Sequence, residues 1–278
     1  MAAYLRQTPR SPFDFAVVDE AQDVSIAQLR LLAALGRNRA DALFFAGDLG
    51  QRIFQQPFSW KALGVDVRGR STTLKINYRT SHQIRAQADR LLGATVADVD
   101  GITEERKGTT SVFNGPAPRL EVFESKGAEV AGVGAWLRER VEKEKLAPHE
   151  VAVFVRSEAE LDRARAAVEA AGLKAKGLDA RVEVTVGQAA FGTMHLAKGL
   201  EFRAVAVMAC DDEVIPAEAR LEAEARLEAA ADDSDLEEVY NTERHLLYVA
   251  CTRARDFLMV SGVKPVSEFV EDLAGKKG

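Results

Sequence analysis

Asp19 and Glu20 stand side by side where a run of apolar residues stops, and Gly47-Asp48 stand where a second such run stops. Adjacent carboxylates at the carboxyl end of a strand suit phosphoryl chemistry. One can hold a magnesium ion, and its neighbour can orient or deprotonate the attacking water. The plainer reading of Asp19-Glu20-Ala21-Gln22-Asp23 is a solvated turn rich in acids. The apolar run leading into it and the second polar tip favour the chemical reading. Two arginines, Arg79 and Arg253, are of the type that stabilises charge spreading over a transferring phosphoryl group, because a guanidinium is a planar fork matched to phosphate oxygens. Taken singly, each could equally form a surface ion pair.

These groups need elements to hold them. Asp14–Asp19 predicts a buried strand of a parallel sheet, being β-branched and aromatic until the acids begin. Apolar residues at helical spacing over Ser25–Leu35 predict a helix closed by Gly36, and Ala42–Ala46 predicts a second buried strand. Together they form a βαβ unit. A strand over Ser71–Ile76 and a helix over Ser81–Leu92, capped by Ser81 or Thr80, follow. Thr95–Pro118 is polar and glycine-containing without periodicity; it reads as an irregular connection and the best boundary, giving domains 1–92 and 93–278. A second alternating pattern begins with a strand over Arg119–Phe123, a helix over Gly127–Lys145, a buried strand over Val151–Val155 and a helix over Glu158–Ala171 ended by Gly172. Strands over Val182–Val186, Phe191–Met194 and Ala204–Met208, helices over Ala217–Ala231 and Thr242–Thr252, and a last strand over Phe257–Ser261 complete it. The class is α/β, with parallel sheets flanked by helices, and ligands are expected at the carboxyl ends of the strands.

Composition narrows the partners less than the motifs do. The 278 residues are 47% hydrophobic, ample for a packed core. No apolar run approaches the roughly 20 residues of a membrane span, and Met1–Pro12 lacks the apolar stretch of a signal peptide. Two cysteines, Cys210 and Cys251, make neither a disulfide framework nor a zinc site, so a reduced cytoplasm is the default. A net charge of −6 argues against a DNA-coating protein, yet Arg68–Arg90 is rich in arginine and lysine while Glu213–Glu238 is mostly acidic. Arg68, Arg70 and Lys75 could track phosphates or form a solvated basic face.

Five segments, in order, carry a resemblance to UvrD/Rep/PcrA-like superfamily 1 DNA helicases. Val17-Val18-Asp19-Glu20-Ala21-Gln22-Asp23 resembles their Walker B motif, and Gly47-Asp48-Leu49-Gly50-Gln51 the next motif, whose glutamine senses the γ-phosphate. Asn77-Tyr78-Arg79 resembles the motif whose tyrosine lies against adenine and whose arginine reaches the γ-phosphate. His195-Leu196-Ala197-Lys198-Gly199-Leu200-Glu201-Phe202 resembles the one whose glutamate binds ribose and whose histidine and lysine lie near DNA. Leu247-Tyr248-Val249-Ala250-Cys251-Thr252-Arg253-Ala254 resembles the last motif, with Arg253 as a second arginine finger. The resemblance implies RecA-like sheets: a partial first motor domain, then a second RecA-like domain. It implies ATP and Mg2+ as cofactors, single-stranded DNA and single-strand/duplex junctions as partners, and 3′-to-5′ movement coupled to hydrolysis. Asp19 would hold the metal. Glu20, Gln51, Arg79 and Arg253 would be catalytic, with Tyr78 and Glu201 on the nucleotide.

Phe54 and Trp60 follow Gln51 where the family carries aromatics that stack on unpaired bases, although Gln55-Gln56-Pro57 is inserted between them. The alternative is that both are core. Two departures matter. No G-x-x-x-x-G-K-[ST] phosphate loop occurs, so hydrolysis by this polypeptide alone is expected to be weak or absent, with a missing N-terminal helicase portion as a partner. Between Gly177 and Phe191, where the family commonly carries a large insertion, only a short stretch lies, which predicts a compact motor. A non-hydrolysing DNA- or protein-binding module is the alternative function.

Overall fold

The fold is described from a computed structural model, which covers residues 13–37, 39, 41–54, 58–92, 95–97, 99–101, 103–105, 108–217 and 233–275. The chain divides into two compact units, one of residues 1–74 with 94–108 and the other of 75–93 with 109–278. The Asn77-Tyr78-Arg79 segment therefore belongs with the second unit, and the acidic tips with the first.

The second unit is built on six parallel strands: β7 (Arg119–Phe123), β8 (Val151–Val155), β9 (Ala175–Gly177), β10 (Ala189–Thr193), β11 (Phe202–Val207) and β12 (Ala254–Val263). Their spatial order is β7-β12-β11-β8-β10-β9. In β8 all five residues are buried, because a central parallel strand is covered on both faces and needs no polar alternation. Val151, Val153 and Val155 meet α3 (Lys126–Lys143) and α4 (Leu161–Ala170) in one core with Val133, Leu137 and Val168. The alternate side chains turn to the other face, where α2 (His82–Ala88), α5 (Asp233–Cys251) and α6 (Glu268–Ala274) pack on β12. Ser125 caps α3 and Ser267 caps α6 through their side-chain oxygens.

Several polar groups are sealed into the carboxyl end of this sheet. Glu129 in the first turn of α3 accepts hydrogen bonds from the Ser261 hydroxyl (2.6 Å) and the Ala209 N–H (3.0 Å), and pairs with Arg163 of α4. Arg163 also donates to Asp211 (2.7 Å) and Glu160 (3.2 Å). Arg156, just past β8, forms a two-pronged pair with Glu243 of α5 at 2.5 and 2.6 Å. A buried charge is tolerated only when paired in this way.

The first unit is smaller. Strands β1 (Ala16–Val18) and β2 (Leu43–Phe45) pair in parallel, joined by α1 (Ile26–Gly36), whose N-terminus Ser25 and Gln28 close with a capping box. Val18, Leu43 and Phe45 pack with Leu29, Val24, Val65 and Trp60. Both strands were expected to be buried, and only one face is. Phe13, Phe15, Val17 and Phe44 are each more than 60% exposed. Among the described residues, α1 and the segment 58–67 cover one side of the sheet and no element covers the other.

Other expectations need correcting. Ser71–Ile76 is not a strand; only Ile76–Asn77 (β3) pairs, with Thr110–Ser111 (β6), and Leu74 stands in solvent. Thr95–Pro118 is not wholly irregular, since Thr95–Ala97 (β4) and Thr103–Glu105 (β5) form an antiparallel pair. Val182–Val186 is not a strand: Val182 has φ 53° and Val186 is exposed, while β9 lies earlier, where β10 offers it a pairing edge. Helix α6 was not foreseen. The inserted Gln55-Gln56-Pro57, and the helix expected over Ala217–Ala231 from residue 218 on, lie outside the described residues. Among those described, no helix is long and apolar enough to cross a membrane.

Candidate functional site

In the first unit the parallel register Val18↔Phe45 brings the carboxyl ends of β1 and β2 level. Backbone hydrogen bonds from Ala46 N–H to the Val18 carbonyl (2.8 Å) and from Ala21 N–H to the Ala46 carbonyl (2.9 Å) continue the pairing past the strands. Asp19 and Glu20 therefore sit beside Gly47 and Asp48. Glu20 adopts the left-handed conformation (φ 50°, ψ 42°), which is costly for a residue with a Cβ and collects at functional sites. Its N–H donates to the Asp19 carboxylate at 2.9 Å.

A set of hydrogen bonds runs between the two tips. Gln22 is buried; its Oε1 accepts from the Asp48 N–H (3.0 Å) and its Nε2 donates to Glu20 Oε2 (2.5 Å). Asp48 then accepts from the Gly50 N–H and from the Gln51 side-chain amide, both at 2.8 Å. Position 47 must be glycine for this to close, since a Cβ there would lie 2.4 Å from Gln22 Oε1. The structure thus gathers Asp19, Glu20, Asp48 and Gln51; Asp48 was read from sequence as the polar tip of the second strand, and the other three as site residues. Gln22 was not singled out; its only signal was a polar residue of fixed donor and acceptor capacity between two acids.

Phe54 presents its ring to solvent, with 52% exposed. Trp60 is half-buried and packs edge-on against Phe45, with ring centroids 4.8 Å apart. Arg68 and Arg70, which were candidates for tracking phosphates, pair with Asp66 and Asp41.

In the second unit, Asn77 organises its own motif. Its Oδ1 accepts from the N–H groups of Arg79 (2.7 Å) and Thr80 (3.2 Å), and its Nδ2 donates to Thr80 Oγ1 (3.0 Å). The next N–H, of Ser81, donates to the Arg255 carbonyl at the start of β12. The Tyr78 ring is left 72% exposed. Arg79 Nε lies 3.4 Å from Glu201 Oε2, both side chains partly in solvent. Glu201 directly precedes β11, and Arg253 directly precedes β12. Arg253 is fully buried against the end of α5, its Nε donating to the Val249 carbonyl at 3.1 Å. His195 and Lys198, half-buried, lie on the single helical turn Met194–Ala197 and just after it, before Gly199 turns the chain with φ 81°. Arg79, Glu201 and Arg253 stand at the amino ends of β11 and β12, not at the carboxyl ends where ligands were expected, whereas His195 lies just past the carboxyl end of β10.

Among the described residues, no group of three or more His, Cys, Asp or Glu side chains could hold a metal ion alone. Mg2+ usually takes one or two carboxylates and leaves its other positions to water and phosphate oxygens. Asp19 is such a donor.

The sequence model of the UvrD-like helicase C-terminal domain matches residues 167–264, and that of the UvrD/REP helicase N-terminal domain matches residues 2–59. Among solved structures, the C-terminal domain of a possible DNA helicase from Lactobacillus plantarum WCFS1 superposes with a TM-score of 0.48 at 22% identity, covering 71% of this chain and 94% of that one. No curated protein matches the chain.

Proposed function

We propose, from the premise that this chain belongs to the UvrD-like helicases, that it is the later part of the motor of an ATP-dependent DNA translocase moving 3′-to-5′ on single-stranded DNA. The observation that carries the reading is the hydrogen-bonded group of Glu20, Asp48 and Gln51 at the adjoining tips of β1 and β2. It puts a candidate base and a candidate phosphate sensor on one rigid support.

Asp19 would hold Mg2+, which when bound neutralises phosphate charge. Glu20 orients and deprotonates the attacking water, and Gln51 contacts the γ-phosphate. Arg79 and Arg253 offset the charge that develops on the transferring group. Tyr78 offers an exposed ring to adenine, and Glu201 accepts from ribose. Phe54 and Trp60 stack on unpaired bases, with His195 and Lys198 close to the strand.

The sequence contains no G-x-x-x-x-G-K-[ST], a feature that favours a second reading in which this polypeptide binds DNA or a partner without hydrolysis. ATP turnover in the presence and absence of single-stranded DNA tests both. The first reading expects little turnover by this chain alone and DNA-stimulated turnover once a phosphate-loop portion is supplied, reduced on the order of 10²-fold or more by Glu20→Gln. DNA binding with no turnover, unaltered by Glu20→Gln, would establish the second.

A further inference from the structure

We infer that Gln22 is a positioning residue for hydrolysis: its side-chain amide fixes the Glu20 carboxylate to the tip of β2 and thereby to Gln51. The inference rests on the proposed hydrolytic role of Glu20.

The orientation of the amide follows from chemistry. A backbone N–H can only donate, so the atom of Gln22 that meets the Asp48 N–H must be the carbonyl oxygen. The NH₂ is then forced toward Glu20, where it meets a carboxylate that can only accept when ionised. Both ends of one buried side chain are thus committed. Asp48 extends the link by accepting from Gln51 through its second oxygen.

Local geometry is spent on keeping this bridge. Glu20 holds a left-handed backbone, and Gly47 leaves the space that Gln22 Oε1 occupies. A surface turn rich in acids needs neither feature. A group held at a reacting atom by a partner behind it loses rate when the partner goes, commonly by 10- to 100-fold, with little change in substrate affinity.

Gln22→Met keeps the volume of the side chain and removes both hydrogen bonds. Gln22→Glu keeps an acceptor for the Asp48 N–H and loses the donor to Glu20. In DNA-stimulated ATP turnover by the intact protein, both variants are expected to lower kcat on the order of 10- to 100-fold, with KM for ATP within about threefold. A second readout is independent of turnover. In ¹⁵N spectra of this chain, Glu20→Ala should shift the Gln51 side-chain amide and the Asp48 N–H, and the shift should vanish when Gln22→Met is also present. If Gln22→Met does not fold, as circular dichroism will show, Gln22→Glu decides. Turnover abolished by Glu20→Gln but kept within twofold by the Gln22 variants would overturn this inference and leave the hydrolytic reading intact. Turnover indifferent to Glu20→Gln would remove that reading, and this inference with it.

Discussion

The two units place their candidate groups at opposite ends of their sheets. In the first, Asp19, Glu20, Asp48 and Gln51 follow the carboxyl ends of β1 and β2; in the second, Glu201 and Arg253 precede the amino ends of β11 and β12. The reason is visible in the second unit. Its carboxyl end is filled by Glu129, Arg163, Glu160 and Asp211, which satisfy one another and the backbone N–H groups of Ala209 and Val263. In the second unit that end of the sheet is occupied by structural ion pairs. The units also differ in how they are sustained: six strands covered on both faces, against two strands covered on one. The arrangement at the tips of β1 and β2 therefore depends on local hydrogen bonds, whereas the second unit rests on a deep core.

The sharpest way to break this contrast is Arg163→Met. Removing the shared cation leaves buried carboxylates facing one another, and a loss of about 3–5 kcal/mol is expected in urea unfolding of the second unit. Burial already pushes the Glu129 carboxyl up, against the pull of Ser261, Arg163 and the Ala209 N–H. A carboxyl raised in the folded state binds protons there first. The variant should therefore regain stability as pH falls through that raised value, and a loss below about 1 kcal/mol at neutral pH would mean the closed end is not structural. Next comes a pair of phenylalanines. Phe154→Ala, in the core of β8, should cost about 3–5 kcal/mol, whereas Phe44→Ser, on the open face of β2, should stay within about 0.5 kcal/mol. Equal costs would show that the open face is covered in solution.

Thiol labelling sharpens the same contrast. Cys210 and Cys251 are fully buried, and burial pushes Cys251 up to about 12 and Cys210 well above the usual thiol range. Neither should react with iodoacetamide until the second unit opens, so rapid labelling of the native protein would contradict its closed core. The smallest effect is at Asp66 in the first unit. Hydrogen bonds from the Arg68 side chain and N–H hold its carboxyl down at about 2. That contribution is present above the ordinary value of 3.8 and is lost as pH falls toward 2. A ¹³C titration should move its midpoint upward in Arg68→Ala, and an unmoved midpoint would show that the pair does not form.

Much of this was legible in the sequence where the cause is local. The five consecutive apolar residues of β8 predict a buried parallel strand, and the helical spacing of apolar residues over Ser25–Leu35 predicts α1. The position of the acid pair was legible because an apolar run leads into it, and the structure places the pair just past the end of β1. What was not legible rests on distant partners. β9 is Ala-Lys-Gly, with no strand preference of its own, and exists because β10 pairs with it. The alternating Val182, Val184 and Val186 imitate a strand but find no neighbour. Arg79 meets Glu201 across 122 positions, and Gln22 meets Asp48 across 26, so neither contact follows from spacing.

The open row of Phe13, Phe15, Val17 and Phe44 carries a practical consequence for handling. Aromatic side chains facing water along a strand pair invite other molecules to stick, and more so as concentration rises. Light scattering from a concentrated solution should report that tendency directly. Replacing Phe15 or Phe44 with a polar residue should delay clouding while leaving the acidic tips untouched, because Phe15 precedes β1 and Phe44 lies within β2, away from the turns that follow the strands.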